Sequence, residues 1–237
     1  MKKILDAGCG VGRFVYNISK QQPEGEFFGI DIDPENITQA KKNFSNINFQ
    51  EMSVETLKFE TAFFDKVYSR DVLEHVDNVE LAVSEMSRVL KNGGKLVVKL
   101  PAEKSEKWLL KIRPTYFEEI HHKRIFKDGY LEKILTESGF QLQKKEAQGF
   151  LDHFLLYFLF KTTKVSHTQL ALGSWNSHPL GYIIAPIHAF LKPERVFHTW
   201  LKFIPIWLVT LPAGYVLNSI GNRYFPKSVY YEFVKVG

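Results

Sequence analysis

Along residues 1–147, strand-like apolar runs alternate with segments that have the apolar period of a helix, which predicts strands separated by helices. Short apolar runs are each followed by a segment in which apolar residues recur every third or fourth position. Turn-forming glycine, proline and asparagine residues separate these segments. The predicted strands are 3–7, 26–32, 47–52, 64–69, 95–100 and 140–146, and the predicted helices are 13–20, 34–43, 78–90 and 127–138.

Strands that are separated by helices of this length pair in parallel through right-handed crossovers. The pattern therefore predicts an α/β fold with a doubly wound, mostly parallel sheet. Ligands of such sheets bind beyond the carboxyl ends of the strands, near the point where the strand order reverses. The residues that directly follow each strand are for this reason the first candidates for a functional site.

A glycine-rich turn follows the first strand and contains Gly8, Gly10 and Gly12. Glycine lets backbone amides approach a ligand closely, although a tight turn without a ligand has the same composition. Arg13 stands where the dinucleotide-binding pattern has its third glycine, which argues against a dehydrogenase. Asp31 ends the second strand about 20 residues later, where a carboxylate can accept hydrogen bonds from both ribose hydroxyls. The two features together predict a nucleoside site.

Composition and charge divide the chain into two regions. Of its 237 residues, 45% are hydrophobic and 24% are charged, which excludes a disordered or collagen-like chain. The lone cysteine, Cys9, excludes a disulfide framework and is interpreted as a small buried filler. Residues 1–150 hold 23 basic and 23 acidic residues, whereas residues 151–237 hold 8 basic and 3 acidic residues with 17 of the 34 aromatics. We predict a domain over 1–150 and an aromatic, basic, mainly helical extension over 151–237.

Five segments of the first region occur in order and at plausible spacing. They are 4–12 (ILDAGCGVG), 29–33 (GIDID), 64–76 (FDKVYSRDVLEHV), 88–94 (RVLKNGG) and 137–140 (ESGF). Together they resemble the motifs of class I S-adenosylmethionine-dependent methyltransferases, in particular the group that acts on quinones and lipids. The resemblance implies a Rossmann-like methyltransferase fold and S-adenosyl-L-methionine as the cofactor.

The resemblance also implies roles for individual residues of the cofactor site. Gly8 and Gly10 would let the backbone meet the methionine half of the cofactor, with Asp6 supporting the turn. The remaining predicted cofactor residues are Asp31 at the ribose, Ile32 against the adenine, Ser53 and Val54 at the adenine edge, and Arg70 beside the methionine part. The family commonly has an aspartate at the position of Ser53. It also has one or two helices before the first strand, so we expect either a longer chain or another segment to close this site.

Two histidines are the predicted catalytic residues. His75 follows the fourth strand, near the expected methyl position, and can serve as a base. Asp71, Glu74 and His75 have the spacing i, i+3, i+4, so a divalent cation is an alternative if the turn is helical, and a capping Asp71 with a packed His75 is another. His121 lies in a predicted loop after the fifth strand, where the family places its acceptor site; a solvated polar loop is the alternative. No metal site is predicted.

The extension carries two long uncharged stretches, 165–191 and 203–222. Prolines interrupt the second stretch, so short helices in the membrane interface are favoured over a spanning helix, with a soluble lid over an apolar acceptor as the alternative. The interface residues would be the aromatic Trp200, Trp207 and Tyr215 and the basic Lys192, Arg195, Lys202 and Arg223. The basic residues are too sparse for nucleic acid.

The sequence thus predicts methyl transfer from S-adenosyl-L-methionine to a hydrophobic or lipid-linked small molecule, at oxygen. A methyltransferase of a soluble sugar or secondary metabolite and a non-catalytic cofactor-binding scaffold are the alternatives. The first residues are too short an apolar run for a signal peptide, so we expect a cytoplasmic protein with peripheral contact at the inner face of an anionic membrane.

Overall fold

The computed structural model describes residues 1–149 and 219–236. Strands and helices alternate along the first region as the hydrophobic pattern predicts. The strands are β1 (Lys3–Ala7), β2 (Glu26–Asp31), β3 (Asn48–Glu51), β4 (Phe64–Arg70), β5 (Leu90–Pro101), β6 (Phe140–Gln148) and β7 (Ser228–Lys235), and the helices are α1 (Arg13–Gln21), α2 (Pro34–Asn43), α3 (Val79–Val89), α4 (Glu103–Ile112), α5 (Tyr116–Ile120) and α6 (Tyr130–Glu137).

The strands form one seven-stranded sheet in the order β3-β2-β1-β4-β5-β7-β6. The pairs β1–β2, β1–β4, β2–β3 and β4–β5 are all parallel. The predicted doubly wound, mostly parallel α/β sheet is thereby confirmed. The strand order reverses between β1 and β4, so their carboxyl ends form the edge at which a ligand crevice is expected.

The sheet is covered on both faces because its central strands are apolar on both sides. Ile4 of β1 lies in one core cluster with residues of α1 and α2. Leu5, the next residue, lies in the other cluster with residues of α3 and α6. Both side chains are almost completely buried, at 2% and 0% exposure. This two-sided burial fixes the strands and, with them, the positions of the residues that follow their ends.

Two of the helices begin at side-chain caps that the sequence encodes directly. Asp33 accepts a hydrogen bond from the Glu35 N–H at 2.8 Å, and Pro34 occupies the first position of α2. Asn78 accepts from the Leu81 N–H at 2.9 Å at the start of α3. Helix α1 has no side-chain cap, because the residue before it is Gly12 in a left-handed conformation. The first turn of α1 therefore follows directly from the glycine-rich turn.

Strand β7 corrects the prediction that residues 151–237 stay outside the sheet. The Lys227 N–H donates to the Gln148 carbonyl at the end of β6, and the Val236 N–H donates to the Gly139 carbonyl before its start. These two bonds make β7 antiparallel to β6.

Strand β7 inserts into the sheet because the apolar residues of 228–235 have the two-residue period of a strand. Val229, Tyr231 and Phe233 alternate with more polar positions and join the core cluster of α3 and α6. Tyr231 and Phe233 are 5% and 0% exposed. An alternating apolar pattern of this kind is a strand signal, even in a region whose overall composition differs from the domain.

The segment between β5 and β6 also differs from its prediction. Strand β5 begins at Leu90 and runs through the predicted turn at 92–94, and its pairing with β4 contains a register shift. Beyond it, the predicted loop forms two helices, α4 and α5.

The chain divides into two compact units. The first comprises Met1–Pro101, Lys123–Glu146 and the C-terminal strand, and it holds the sheet with helices on both faces. The described residues of the second are 102–122, 147–149 and 219–228. In the second unit Leu109 and Tyr116 form a small core, and the Trp108 and Phe225 rings meet edge to face at 5.3 Å.

Most of the predicted extension, residues 150–218, lies outside the described residues. This holds for both uncharged stretches almost entirely and for all the proposed interface residues except Arg223. Within the described ranges, none of the helices has the length and apolar character that crossing a membrane requires. The predictions of an interface region or a lid, and of a boundary at residue 150, therefore stay predictions.

Candidate functional site

The glycine-rich turn is tied to the end of the second strand by main-chain hydrogen bonds. The N–H groups of Gly8 and Cys9 both donate to the Ile30 carbonyl at 2.8 Å. The Gly10 N–H donates to Asp31 Oδ2 at 2.7 Å. The turn and the carboxylate that the sequence predicts as partners are therefore parts of one site at the switch point of the sheet.

Gly8 and Gly10 both have positive φ, at 84° and 51°, but they serve different purposes. A Cβ on Gly8 would lie 2.2 Å from the Val72 side chain, so this glycine permits close packing of the turn. A Cβ on Gly10 would meet nothing within 4 Å. The backbone of Gly10 thus faces open space, as a turn that receives a ligand requires.

Asp31 retains acceptor capacity for a ligand. One oxygen accepts from Gly10, and the other accepts from the Asp33 N–H at 3.0 Å and contacts the Asn36 amide at 3.4 Å. A carboxylate offers about four lone-pair sites, and these bonds use three of them. One ribose hydroxyl can therefore bind at Oδ2, and a second can bind at Oδ1 by displacing the long contact with Asn36. The next residue, Ile32, is 72% exposed and provides an apolar surface beside that carboxylate. This pairing fits a ribose with an attached base.

Asp6 is a buried acid beneath the turn. It is 2% exposed, and burial raises the pKa of its carboxyl from 3.8 to about 7. The positive charge of Arg70 opposes this rise in pKa, the negative charge of Asp31 adds to it, and a hydrogen bond from the Val15 backbone opposes it. Asp6 therefore stabilises the first turn of α1 and carries a carboxyl that titrates near neutral pH.

Arg70 ends β4 and lies half-buried on the same edge of the sheet. Its guanidinium lies over the Phe14 ring at 3.8 Å. Phe14 is a residue of α1 that the sequence places on the apolar side of that helix, without a role in the site. The structure brings Arg70 together with Asp6, Gly10 and Asp31 at the carboxyl ends of the central strands.

Ser53 and Val54 follow β3, at the same edge of the sheet. The Ser53 hydroxyl accepts from the Glu55 N–H at 3.1 Å and is half-buried. The Val54 side chain is 7% exposed and belongs to the core. Only the main chain of Val54 is therefore suited to a ligand, and the adenine contact of both residues stays a prediction.

The acidic residues near His75 do not form the predicted helical face. Asp71 has a left-handed backbone, with φ of 56°, and its carboxylate pairs with Lys99 Nζ at 2.5 Å. Glu74 is buried at 1% exposure. The segment is a turn, closed by a bond from the His75 N–H to the Val72 carbonyl, and Asn78 rather than Asp71 caps the next helix. The cation alternative depended on a helical turn here, and the structure has a non-helical turn instead; the catalytic role of His75 stays a prediction.

The two adjacent histidines of the second unit differ sharply in their surroundings. His121 is exposed and ends α5 in a left-handed conformation. His122 is half-buried, with a side chain that is 8% exposed and an Nδ1 atom 2.7 Å from Glu106 Oε2. The rings of Tyr116 and Phe117 lie edge-on to it at 6.2 and 5.5 Å. The catalytic role that the sequence predicts for His121 stays a prediction.

S-adenosylmethionine fits the residues of the first unit. The open backbone at Gly10 admits a ligand, Asp31 has acceptors for two ribose hydroxyls, and Ile32 offers an apolar surface for a base.

Comparisons with known proteins agree with this fit. A family model described as a methyltransferase domain matches residues 1–151. Among curated relatives, a malonyl-[acyl-carrier protein] O-methyltransferase of Herminiimonas arsenicoxydans is 31% identical, covering 61% of this chain and 55% of the relative. A demethylmenaquinone methyltransferase of Chlorobaculum parvum is 27% identical, covering 68% and 73%. In three further relatives, which include an uncharacterized methyltransferase of Schizosaccharomyces pombe, the chain spans only 29–37% of the relative's length.

Solved structures show the same fold at low identity. A sarcosine dimethylglycine methyltransferase described as putative, from Galdieria sulphuraria, matches with a TM-score of 0.62 at 15% identity, over 99% of this chain and 78% of that one. The [4+2]-cyclase SpnF matches with a TM-score of 0.62 at 18% identity, over 100% and 76%. Because one of these proteins is named as a cyclase, the fold alone does not define the reaction. With the family model covering most of the chain and the cofactor residues assembled at the switch point, this protein belongs to the class I methyltransferases, whose cofactor is S-adenosyl-L-methionine.

Proposed function

We propose that this protein transfers the sulfonium methyl group of S-adenosylmethionine to an oxygen of a hydrophobic or lipid-linked small molecule. The observation that carries the proposal is the hydrogen bond from the Gly10 N–H to Asp31 Oδ2 at 2.7 Å. This bond joins an open, amide-lined turn to a ribose-binding carboxylate, so that a nucleoside with an amino-acid substituent can bind across both.

The chemistry of the acceptor is supported by two independent observations. Residues 151–237 hold 17 of the 34 aromatic residues and only 3 acidic ones, a composition suited to an apolar acceptor or a lipid surface. Relatives of this chain include proteins named malonyl-[acyl-carrier protein] O-methyltransferase and ubiquinone biosynthesis O-methyltransferase. Both names describe oxygen as the methylated atom, in acceptors that are carried on a protein or are hydrophobic.

Methylation of a hydroxyl requires a group that takes its proton. When bound, the cofactor supplies an electrophilic methyl on a cationic sulfur, and the acceptor oxygen loses its proton as the new bond forms. His75 follows β4 in the same unit as the predicted cofactor residues, and it is one of the two bases predicted from the sequence. We assign the proton transfer to His75 and keep His121 as the competing base.

Binding is tested first, by calorimetry with S-adenosylmethionine and with its product, S-adenosylhomocysteine. We expect the wild type to bind both, and Asp31→Ala to weaken both by at least about tenfold, since a charged group that bonds two hydroxyls contributes about 1.5–3 kcal/mol. Asp128→Ala is the matched control, because Asp128 is an exposed aspartate of the same unit that pairs with Lys145 and is not among the predicted cofactor residues. Absence of binding by the wild type would refute the proposal.

The acceptor is tested with hydroxylated quinone precursors, a malonyl thioester, and soluble sugars or phenols, using radiolabelled methyl donor. Transfer to the first two groups but not to the third supports the proposal, and the reverse pattern supports the soluble-substrate alternative. Tight cofactor binding without transfer to any acceptor supports the non-catalytic scaffold. Co-sedimentation with anionic and neutral vesicles tests the membrane contact separately.

The base is assigned by kinetics. We expect His75→Asn to lower kcat by about a hundredfold with a smaller change in KM, because the substitution affects proton transfer rather than binding. A variant at His121 that shows this effect while His75→Asn does not would reassign the role.

A further inference from the structure

Asp71, the first residue after β4, has a backbone conformation that is unfavourable for a residue with a Cβ. Its φ of 56° lies in the left-handed region. Within the described ranges, only Ala62 and His121 share this property among residues other than glycine. Such a conformation persists where the surrounding structure holds it in place. The contacts of Asp71 therefore have to account for it.

Two hydrogen bonds to one residue of the neighbouring strand hold Asp71. The Asp71 N–H donates to the Lys99 carbonyl at 2.9 Å, which continues the parallel ladder of β4 and β5 past Arg70. Lys99 Nζ donates to Asp71 Oδ2 at 2.5 Å. The main chain and the side chain of Asp71 are thus both fixed against β5, so the chain leaves the sheet in one defined direction.

That direction determines the position of the turn that carries His75, which comprises residues 71–75 and is called the His75 turn below. The Val72 side chain packs closely against the glycine-rich turn, because a Cβ on Gly8 would lie 2.2 Å from it. The two residues between Val72 and His75 are buried, at 0% and 1% exposure. The His75 N–H donates to the Val72 carbonyl at 2.9 Å. The backbone of His75 is therefore located through Val72, and Val72 through Asp71.

The ion pair of Asp71 and Lys99 is too exposed to serve stability alone. Their side chains are 43% and 23% exposed, and ion pairs in contact with water contribute little to the free energy of unfolding. A second pair, Lys91 and Asp65, joins the same two strands at their amino ends, with 41% and 31% exposure and a distance of 2.8 Å. Strands β4 and β5 thus carry two similar ion pairs, of which one adjoins the His75 turn.

We propose that Asp71 is a positioning residue for methyl transfer: paired with Lys99 in its left-handed conformation, it sets the direction of the His75 turn and so places the His75 ring. The inference rests on the proposed function, because His75 is the base assigned there. It extends that function from the base to the residues that hold the base in place. A base acts only within hydrogen-bond reach of the proton that it takes, so a small displacement of the turn slows the reaction.

A double-mutant cycle measures the contribution of the ion pair. Asp71→Asn keeps a residue type that tolerates the left-handed region, and Lys99→Met removes the ammonium group. We expect each variant to lower kcat about fivefold to tenfold and to change KM for S-adenosylmethionine by less than about twofold, because a misplaced base slows proton transfer without weakening binding. The double variant should be no slower than the slower single variant, since both substitutions remove the same bond.

Two substitutions elsewhere in the same unit provide matched controls. Lys91→Met removes the ion pair at the other end of the same two strands, and Ala62→Gly changes an exposed residue with the same φ of 56°. Both variants should keep the wild-type kcat. Asp71→Gly adopts the left-handed conformation freely but cannot pair with Lys99, so it should fold as the wild type does and be at least as slow as Asp71→Asn. Urea denaturation checks the folding of each variant.

Hydrogen exchange provides a measurement that needs no acceptor. The His75 amide is bonded to the Val72 carbonyl, so its protection against exchange reports how well the His75 turn is ordered. We expect Asp71→Gly to lower this protection at least about tenfold, and Ala62→Gly to leave it unchanged.

The outcomes separate this inference from the proposed function. If Asp71→Asn and Lys99→Met keep the wild-type kcat, or if Lys91→Met lowers kcat as much as Lys99→Met does, Asp71 is not a positioning residue. Unchanged protection of the His75 amide in Asp71→Gly contradicts the inference in the same way. If the wild type methylates none of the acceptors, or if His75→Asn keeps the wild-type kcat, the proposed function or its base has failed instead, and the exchange measurement still decides whether Asp71 holds the turn.

Discussion

At the scale of single residues, Asp6 shows how burial sets both the stability and the charge of the site. Its carboxyl is 2% exposed, and burial raises its pKa from 3.8 to about 7. In the unfolded chain the same group ionises at its ordinary value. Between these two pKa values the folded state binds a proton that the unfolded state does not, so stability falls as the pH rises from about 4 to about 7.

Asp6→Asn should remove this pH dependence. At about pH 8 the wild type holds a buried carboxylate, and the net rise of about three pKa units, which already includes the bond from the Val15 N–H, costs about 4 kcal/mol. The stability that the variant gains over the wild type should therefore be larger at about pH 8 than at about pH 5, by about 2–3 kcal/mol. Urea denaturation at both pH values measures this.

Asp65 provides the control of opposite sign. Desolvation raises the pKa of its carboxyl, but hydrogen bonds from the Lys91 side chain and the Lys3 backbone outweigh it, so the net pKa is lowered. Its contribution to stability is present at neutral pH and is lost as the pH falls through its folded pKa. Asp65→Asn should thus be destabilising at about pH 7, and the loss should shrink as the pH falls through the folded pKa of Asp65. If the two variants show the same pH trend, burial is not the cause for Asp6.

The sequence predicted those site residues whose roles depend on chain-local signals. Gly10 and Asp31 are recognisable because a turn after one strand and an acid after the next must meet at the same edge of a parallel sheet. The Glu106–His122 pair and the Phe14–Arg70 contact were missed, because each joins two residues far apart in the sequence. Their positions depend on helix packing, and no periodicity encodes such a contact.

At the scale of elements, hydrogen bonds from the side chain of Lys235 connect strand β7 to the C-terminal end of α3. Lys235 Nζ donates to the Ser87 carbonyl at 2.8 Å and to the Leu90 carbonyl at 3.0 Å. Carbonyls at the C-terminus of a helix have no partner within the helix and carry partial negative charge. Lys235 therefore gives a hydrogen-bond donor to one carbonyl of α3 and to one at the start of β5, although its strand is more than a hundred residues away in the sequence. Both hydrogen bonds are charge-assisted.

Lys235→Met keeps the length of the side chain and removes these bonds. We expect a loss of about 1–3 kcal/mol in the free energy of unfolding, measured by urea denaturation. Lys133→Met is the control, because Lys133 is an exposed lysine of α6 whose distance to Glu137 is 3.9 Å, and it should change stability by less than about 0.5 kcal/mol. Equal effects of the two substitutions would show that the bonds of Lys235 contribute nothing specific.

Strand β7 and helix α4 were not predicted, because the composition of the residues around them obscures their apolar pattern. Val229, Tyr231 and Phe233 have the alternation of a strand, but they follow a long aromatic and basic stretch and were assigned to it. The apolar residues of helix α4 (Trp108, Leu109, Leu110 and Ile112) all lie in its second half, after a charged first half, so they do not repeat over enough turns to indicate a helix on their own. Its small core with Tyr116 forms only when α5 packs beside it.

At the scale of the whole molecule, the cofactor site belongs to one compact unit. Asp6, Gly10, Asp31 and Arg70 all lie in the unit that contains the sheet. Helices α4 and α5 belong to the other unit and have a separate core. Because a ligand stabilises the state that binds it, the cofactor should raise the stability of the first unit directly.

Hydrogen exchange with and without S-adenosylmethionine tests this division. At a concentration about a hundredfold above its dissociation constant, the ligand should add about 2.7 kcal/mol to the free energy of opening of β1, β2 and the glycine-rich turn. Amides of α4 and α5 should show a smaller change, since none of the residues assigned to the cofactor lies in them. The Asp31→Ala variant is the control and should lose the protection in the turn while keeping the wild-type exchange of α4 and α5. If both units gain equal protection in the wild type, they open as one body, and the cofactor then stabilises His122 and its Glu106 partner as well as the site itself.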